Sequence, residues 1–234
     1  MIIYVNGDSH SAGAEAVNSH CFADDDPTYR HLGRIPHPDN LLASYGSILA
    51  NNLNSILVCD AESGASNDRT IRTTYNYLNN NPKPLAVVIG WATWDREEFF
   101  THGVPYQISV GADDPHWPSE VKEYYRTWVK HSSPFKKAQY WHDRIYEMHK
   151  DLDARAIPHL FFNTYLSFNH NFITEYDWGN SYISPYSDAG TYYSWATTQG
   201  YNPATPTTHH FRADAHLAWG NHLTNIIKES IITT

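Results

Sequence analysis

Four short apolar runs, Ile2–Val5, Ser55–Cys59, Leu85–Ile89 and His159–Asn163, are rich in branched or aromatic side chains and bounded by turn formers. Helix-period patterns lie between and after them. Leu42, Tyr45 and Leu49 share one face of Leu41–Leu53, a second pattern covers Thr70–Leu78, and Trp141, Ile145, Met148 and Leu152 recur along Lys136–Arg155. A last helix from about Trp219 to Ile231 groups Leu223, Ile226 and Ile227. Strands that alternate with helices predict an α/β fold with a mainly parallel sheet covered on both faces. The expectation is one domain over 1–234, interrupted by long, turn-rich, aromatic loop insertions at about 101–134 and 166–208.

Composition narrows the function. With 41% hydrophobic and 15% aromatic residues the chain can bury a substantial core, which excludes disorder. Lys+Arg total 16 against 25 Asp+Glu, a formal charge of −9, so the basic stripe of a nucleic-acid binder is missing. The 15 histidines are nearly as many as the fixed cations, which ties the molecule's field to pH. No stretch has the roughly 18 apolar residues of a membrane span, and the apolar N-terminus meets Gly7 too early for a signal peptide. The expectation is a soluble protein with no evident export signal, and neither cytoplasmic nor virion location is indicated. Cys21 and Cys59 allow one bridge at most, and the sequence leaves their redox state open.

The chemistry concentrates at the two ends. Gly7-Asp8-Ser9-His10-Ser11 follows the first strand directly, where open α/β proteins build their sites. A helix starting there would aim its amides at an oxyanion beside the Ser9 hydroxyl, whereas a bland strand-to-helix turn would use Asp8 or Ser9 as a cap. A serine nucleophile needs a base and the base an orienting acid. Asp214 and His216, two apart before the last helix, supply such a pair if a short turn lets the carboxylate reach the ring.

These residues resemble the SGNH (GDSL-type) hydrolases: Gly7 to Ser11 their block I, Asp214-Ala215-His216 with Gly220 and His222 their C-terminal block, and Gly64 in Glu62-Ser63-Gly64-Ala65-Ser66-Asn67-Asp68 the glycine of block II. The resemblance implies a three-layer α/β/α flavodoxin-like fold, nucleophilic Ser9, base His216, acid Asp214, and oxyanion donors from the amides of Ser9 and Gly64. The family's block III asparagine is missing, because the chain reads Gly90-Trp91-Ala92-Thr93. Losing one oxyanion donor costs on the order of 10²–10³ in rate. Asn67 is the preferred substitute donor, with Thr93 second, because an amide offers two N–H bonds. The acid-to-base gap of two is also shorter than in many members. Gly90 to Phe99 is similar to block III of small hydrolases encoded by phages and marine bacteria, and its Arg96 either binds an anionic group or pairs with Asp95, Glu97 or another carboxylate.

The activity implied is hydrolysis of a small ester through an acyl-enzyme, with an O-acetylated carbohydrate the most concrete substrate, since tyrosine and tryptophan faces suit sugar rings. The rival is a non-catalytic structural or glycan-binding protein on the same fold, for example on a virion. No cofactor is expected, for no phosphate-binding glycine loop follows a strand. No metal is expected either: His209, His210, His216 and His222 with Asp214 match no zinc spacing, and Asp24-Asp25-Asp26 reads as a solvated turn before Pro27 rather than a calcium loop. Nothing in the sequence supports an oligomer or virion association.

Overall fold

The computed structural model describes residues 1–22, 35–111, 114–170 and 173–230, so the Asp24–Asp26 turn and Ile231 lie outside the described residues. The strands are β1 (Ile2–Gly7), β2 (Ile56–Cys59), β3 (Ala86–Trp91), β4 (Arg96–Thr101), β5 (Val104–Ser109) and β6 (His159–Asn163). The helices are α1 (Pro38–Ala43), α2 (Tyr45–Asn52), α3 (Asn67–Asn80), α4 (Ser119–His131), α5 (Pro134–Ala154), α6 (Tyr192–Thr198) and α7 (Ala213–Ser230). All four expected strands form one parallel sheet in the order β2-β1-β3-β6.

Alternation along each strand sorts side chains onto two faces. Ile3, Val5, Val88, Leu160 and Phe162 pack beneath α2 and α7 with Tyr45, Leu49, Trp219, Leu223 and Ile227. Tyr4, Val87, Ile89 and Phe161 point the other way, against Ile71 and Leu78 of α3 and Trp141, Ile145, Met148 and Leu152 of α5. Each fully buried aliphatic side chain contributes roughly 1.5–3 kcal/mol. The result is three layers, α/β/α. The strand order reverses at β1, whose neighbours on either side are β2 and β3, and ligands in such sheets bind beyond the carboxyl ends at that crevice.

Three expectations are corrected. The helix expected over 41–53 is two helices broken at Ser44, which adopts an extended backbone and accepts the Ser47 N–H on its side chain. Leu42 therefore falls on α1 and is 74% exposed rather than in the core. The last helix starts at Ala213, six residues before Trp219. The region 101–134 is not a loop: β4 and β5 form an antiparallel hairpin through His102 and Gly103, and α4 follows. Both turn residues have positive φ, as a two-residue hairpin turn of the primed type requires. Tyr106, Ile108, Trp117, Val121 and Trp128 give this excursion its own small core.

The second region, 166–208, is largely irregular but packed, with one turn of 3-10 helix (Asp188–Gly190) and α6. Phe168, Trp178 and Tyr182 complete the α5 side of the core, and Tyr192 the α7 side. Ser181 and Ile183 bond to the backbone of Phe161 in β6. Among the described residues no helix is long and apolar enough to cross a membrane.

Candidate active site at the carboxyl edge of the sheet

Gly7 ends β1 at φ 138°, and a Cβ there would meet the Gly90 carbonyl oxygen and the Ser11 hydroxyl at 2.3 Å. Only glycine lets the chain turn this sharply against β3. The turn is locked by Asp8, which is buried: its Oδ1 accepts the His10 N–H at 3.0 Å, and Oδ2 accepts from the Thr164 hydroxyl at 3.1 Å. Arg96 Nη1 lies 3.5 Å from the same carboxylate and donates to the Ala65 carbonyl at 3.2 Å. Arg96 thus pairs with Asp8, not with its neighbours Asp95 and Glu97. Ser11 accepts the Tyr45 hydroxyl at 2.5 Å under Gly7 and Gly90.

Residues 9–16 wind through successive turns, with Ala12 N–H on Asp8 O and Ala14 N–H on Ser9 O, and do not form the expected helix. Ser9 sits just past β1 at the switch point, and Asp8, not Ser9, makes the side-chain turn bond. Among the described residues neither the Ser9 nor the Gly64 N–H is donated to a protein acceptor. Gly64 has φ 84° at an exposed turn after β2. Asn67 differs from expectation: its Oδ1 accepts the Ala92 N–H at 2.9 Å and its Nδ2 donates to the Ala92 carbonyl at 3.1 Å. Its amide clasps the end of β3 to the start of α3, which is not an oxyanion donor's task. Thr93, the other candidate, is half-buried on the same turn.

The structure does not bring Asp214 to His216. Both fall in the first turn of α7, where residues two apart project about 200° from each other. Asp214 is exposed and its Oδ1 accepts the Ala215 N–H at 2.9 Å. His216 is buried, stacked on Tyr45, and its Nδ1 accepts the Tyr45 N–H at 3.4 Å. That bond puts the ring proton on Nε2, so neither nitrogen is a vacant acceptor. Burial, with His10 and His210 nearby, pushes His216 down to about 3; burial likewise takes His10 to about 4.

A different pair lies against His10, the residue after Ser9. His210 Nδ1 is 2.6 Å from Glu15 Oε2, and the His210 ring stands edge-on to that of His10, next to Ser9 in the chain, with centroids 5.4 Å apart. The Ala213 N–H on Ala16 O ties the two segments together. Glu15 holds φ 61°, a left-handed backbone that non-glycine residues adopt rarely. Sequence reasoning missed Glu15 because 195 positions separate it from His210. A cavity of about 490 Å³ opens alongside, lined by Glu15, Val17, Ala204, Arg212 and Asp214. Tyr165 lies 4.8 Å from Tyr193 and 4.9 Å from His209 by ring centroids. The other C-terminal histidine, His222, is stacked on Trp195.

No protein-family model matches the chain, and no curated protein does. Among solved structures it is similar to a carbohydrate esterase whose active site is described as having divergent catalytic and non-catalytic binding functions, at 16% identity and TM-score 0.44 over 98% of this chain and 65% of that one. It is also similar to a Corynascus thermopiles (Myceliophthora fergusii) carbohydrate esterase family 2 enzyme with a carbohydrate-binding domain, at 18% identity and TM-score 0.42 over 97% and 65%. A third is a family two carbohydrate esterase from Clostridium thermocellum in complex with cellohexaose, at 15% identity and TM-score 0.38 over 97% and 63%. The chain therefore spans 63% to 65% of the length of these three.

Proposed function

We propose that the chain is a serine ester hydrolase of the SGNH type acting on an acylated carbohydrate. The observation that carries this reading is the Glu15–His210 pair, whose imidazole stands edge-on to that of His10, the residue after Ser9 at the switch point of the sheet, while the Ser9 and Gly64 N–H groups have no protein acceptor among the described residues. His210 takes the base's part in place of His216, and Glu15 the acid's in place of Asp214. Glu15 fixes the His210 proton on Nδ1, which leaves Nε2 as the acceptor a nucleophilic hydroxyl needs.

In the reaction, His210 Nε2 accepts the Ser9 Oγ proton as the oxygen bonds to the ester carbonyl carbon. The tetrahedral oxyanion receives the Ser9 and Gly64 amides. The alcohol leaves with the proton from His210, and water, deprotonated by the same ring, releases the acid from the acyl-enzyme. The aromatic cluster of Tyr165, Tyr193 and His209, next in the chain to His210, supports a sugar as the alcohol, because ring faces stack on the apolar faces of pyranosides.

The test is active-site labelling with a fluorophosphonate, together with turnover of a chromogenic acetyl ester. Wild type should label at Ser9 and turn over, and Ser9→Ala should do neither while unfolding at the same denaturant concentration. A folded wild type that resists the reagent would instead support a non-catalytic glycan-binding protein.

A further inference from the structure

The opposite edge of the sheet carries a second group of histidines that ester hydrolysis does not use. His149, near the end of α5, and His159, the first residue of β6, are both buried and are brought together by the short connection 155–158. His149 Nδ1 lies 2.8 Å from His159 Nε2. Each ring's other nitrogen also has a neighbour. His159 Nδ1 is 2.9 Å from the Ile157 carbonyl oxygen, and His149 Nε2 is 3.4 Å from Asp153 Oδ2, one helical turn further on.

Counting protons exposes a conflict. A carbonyl only accepts, so a neutral His159 carries its proton on Nδ1 and presents a lone pair at Nε2. A neutral His149 then has one proton for two acceptors. Placed on Nδ1, the proton serves His159 and leaves the Nε2 lone pair facing a carboxylate; placed on Nε2, it serves Asp153 and leaves two lone pairs 2.8 Å apart.

We propose that a divalent cation of the zinc class resolves this conflict, bound by nitrogens of His149 and His159 and a carboxylate oxygen of Asp153. One ligand atom from each of the three lies within 4.8 Å of the others. Two imidazoles and one carboxylate form a donor set for zinc and its first-row neighbours rather than for calcium or magnesium, which take oxygen ligands. Bonds of about 2.0–2.1 Å in a tetrahedron space the ligand atoms about 3.3 Å apart, so His149 Nδ1 and His159 Nε2, at 2.8 Å, would part by about 0.5 Å and the exposed Asp153 side chain would turn from His149 Nε2 toward them. The Nδ1–H of His159 on the Ile157 carbonyl is the outer-shell bond that fixes a metal-binding imidazole's tautomer. A cavity of about 650 Å³, lined also by Asp177, Trp178 and Asn180, opens onto the group and gives the ion an entry path and water for the remaining position. The ion would clamp the end of α5 to the start of β6, at the end of the sheet opposite Ser9.

The experiment titrates chelator-stripped, full-length protein with Co(II) and follows its visible d–d absorption, then displaces it with Zn(II). The expected result is one equivalent bound with a tetrahedral spectrum, bleached by zinc and unchanged in Ser9→Ala or His210→Ala. Affinity should fall by more than about 100-fold in His149→Gln and about 10-fold in Asp153→Asn. Asp153 is exposed, so its variant keeps the test intact if the buried substitution unfolds the chain. The absence of a d–d band in wild type, or an undiminished band in Asp153→Asn, overturns the proposal. So does loss of the band in His210→Ala, which would place the cobalt at the other edge.

Discussion

The two ends of the central sheet hold histidines in opposite circumstances. At the carboxyl end His210 meets Glu15, a donor against an acceptor, and its second nitrogen is the one the proposed mechanism offers to the Ser9 proton. At the amino end His149 and His159 meet each other, and no assignment of two neutral rings satisfies every neighbour. His216, with its Nδ1 taken by a backbone amide and its proton on Nε2, is a third case with no acceptor to offer. A histidine's role follows from what its second nitrogen faces, and neither the number of histidines nor their spacing carries that information.

The sharpest test of this contrast is His210→Ala. It should lower kcat/KM for a chromogenic acetyl ester by on the order of 10³-fold or more, whereas His149→Gln in metal-free protein should stay within about twofold. Equal losses would show that the two ends do not act independently. Next is Glu15→Gln, expected to reduce kcat by about 10²-fold with KM nearly unchanged, since the carboxylate positions the ring and stabilises its charged form without touching substrate.

Acid should act on stability through the buried rings. Burial holds folded His10 at about 4 and His216 at about 3, below an unfolded value of about 6.5. Below about pH 6.5 the unfolded chain binds protons that the folded chain refuses, so stability falls with pH, by at most about 1.4 kcal/mol per pH unit for each ring. A series of urea midpoints from pH 7 to 4.5 on metal-free protein should show the decline, and His216→Gln should flatten it. A level midpoint in wild type would mean that these rings are not held neutral. The smallest effect belongs to Asp214→Ala: within about twofold in kcat/KM and about 0.5 kcal/mol in stability, measured on the same substrate and urea series. A loss approaching that of His210→Ala would restore Asp214 as the acid.

Much of the scaffold was legible because it repeats local rules. Branched runs such as Ala86–Ile89 and a seam such as Trp141, Ile145, Met148 and Leu152 carry their periods in the sequence, and the four strands of the sheet were found from them. The hairpin was not, because Arg96-Glu97-Glu98-Phe99-Phe100 does not alternate polar with apolar and His102-Gly103 is a weaker turn signal than Asn-Gly. At the site, Ser9 was expected from its place just past the first strand, and Gly64 from the family resemblance, and both lie in turns after strands. Asp214 and His216 looked paired because they are close in sequence, and the helix separates them. Glu15 and His210 are far apart in sequence, and only the packing of the chain's two ends joins them.

The hairpin also has a claim on the chemistry. Its Gln107 accepts the Ser66 N–H, Glu98 makes a two-pronged pair with Arg72 at 2.8 Å, and Arg96 reaches both Asp8 and the Ala65 carbonyl. Gly64 therefore sits in a loop pinned from outside the parallel sheet. A graft of the Ser9 turn and the Gly64 loop onto another doubly wound scaffold would arrive with its hydrogen-bonding amides unaligned unless β4 and β5 travelled with it. The excursion is part of the transferable module, and sequence drift within it can shift the Gly64 loop without altering Ser9, Gly64, Glu15 or His210.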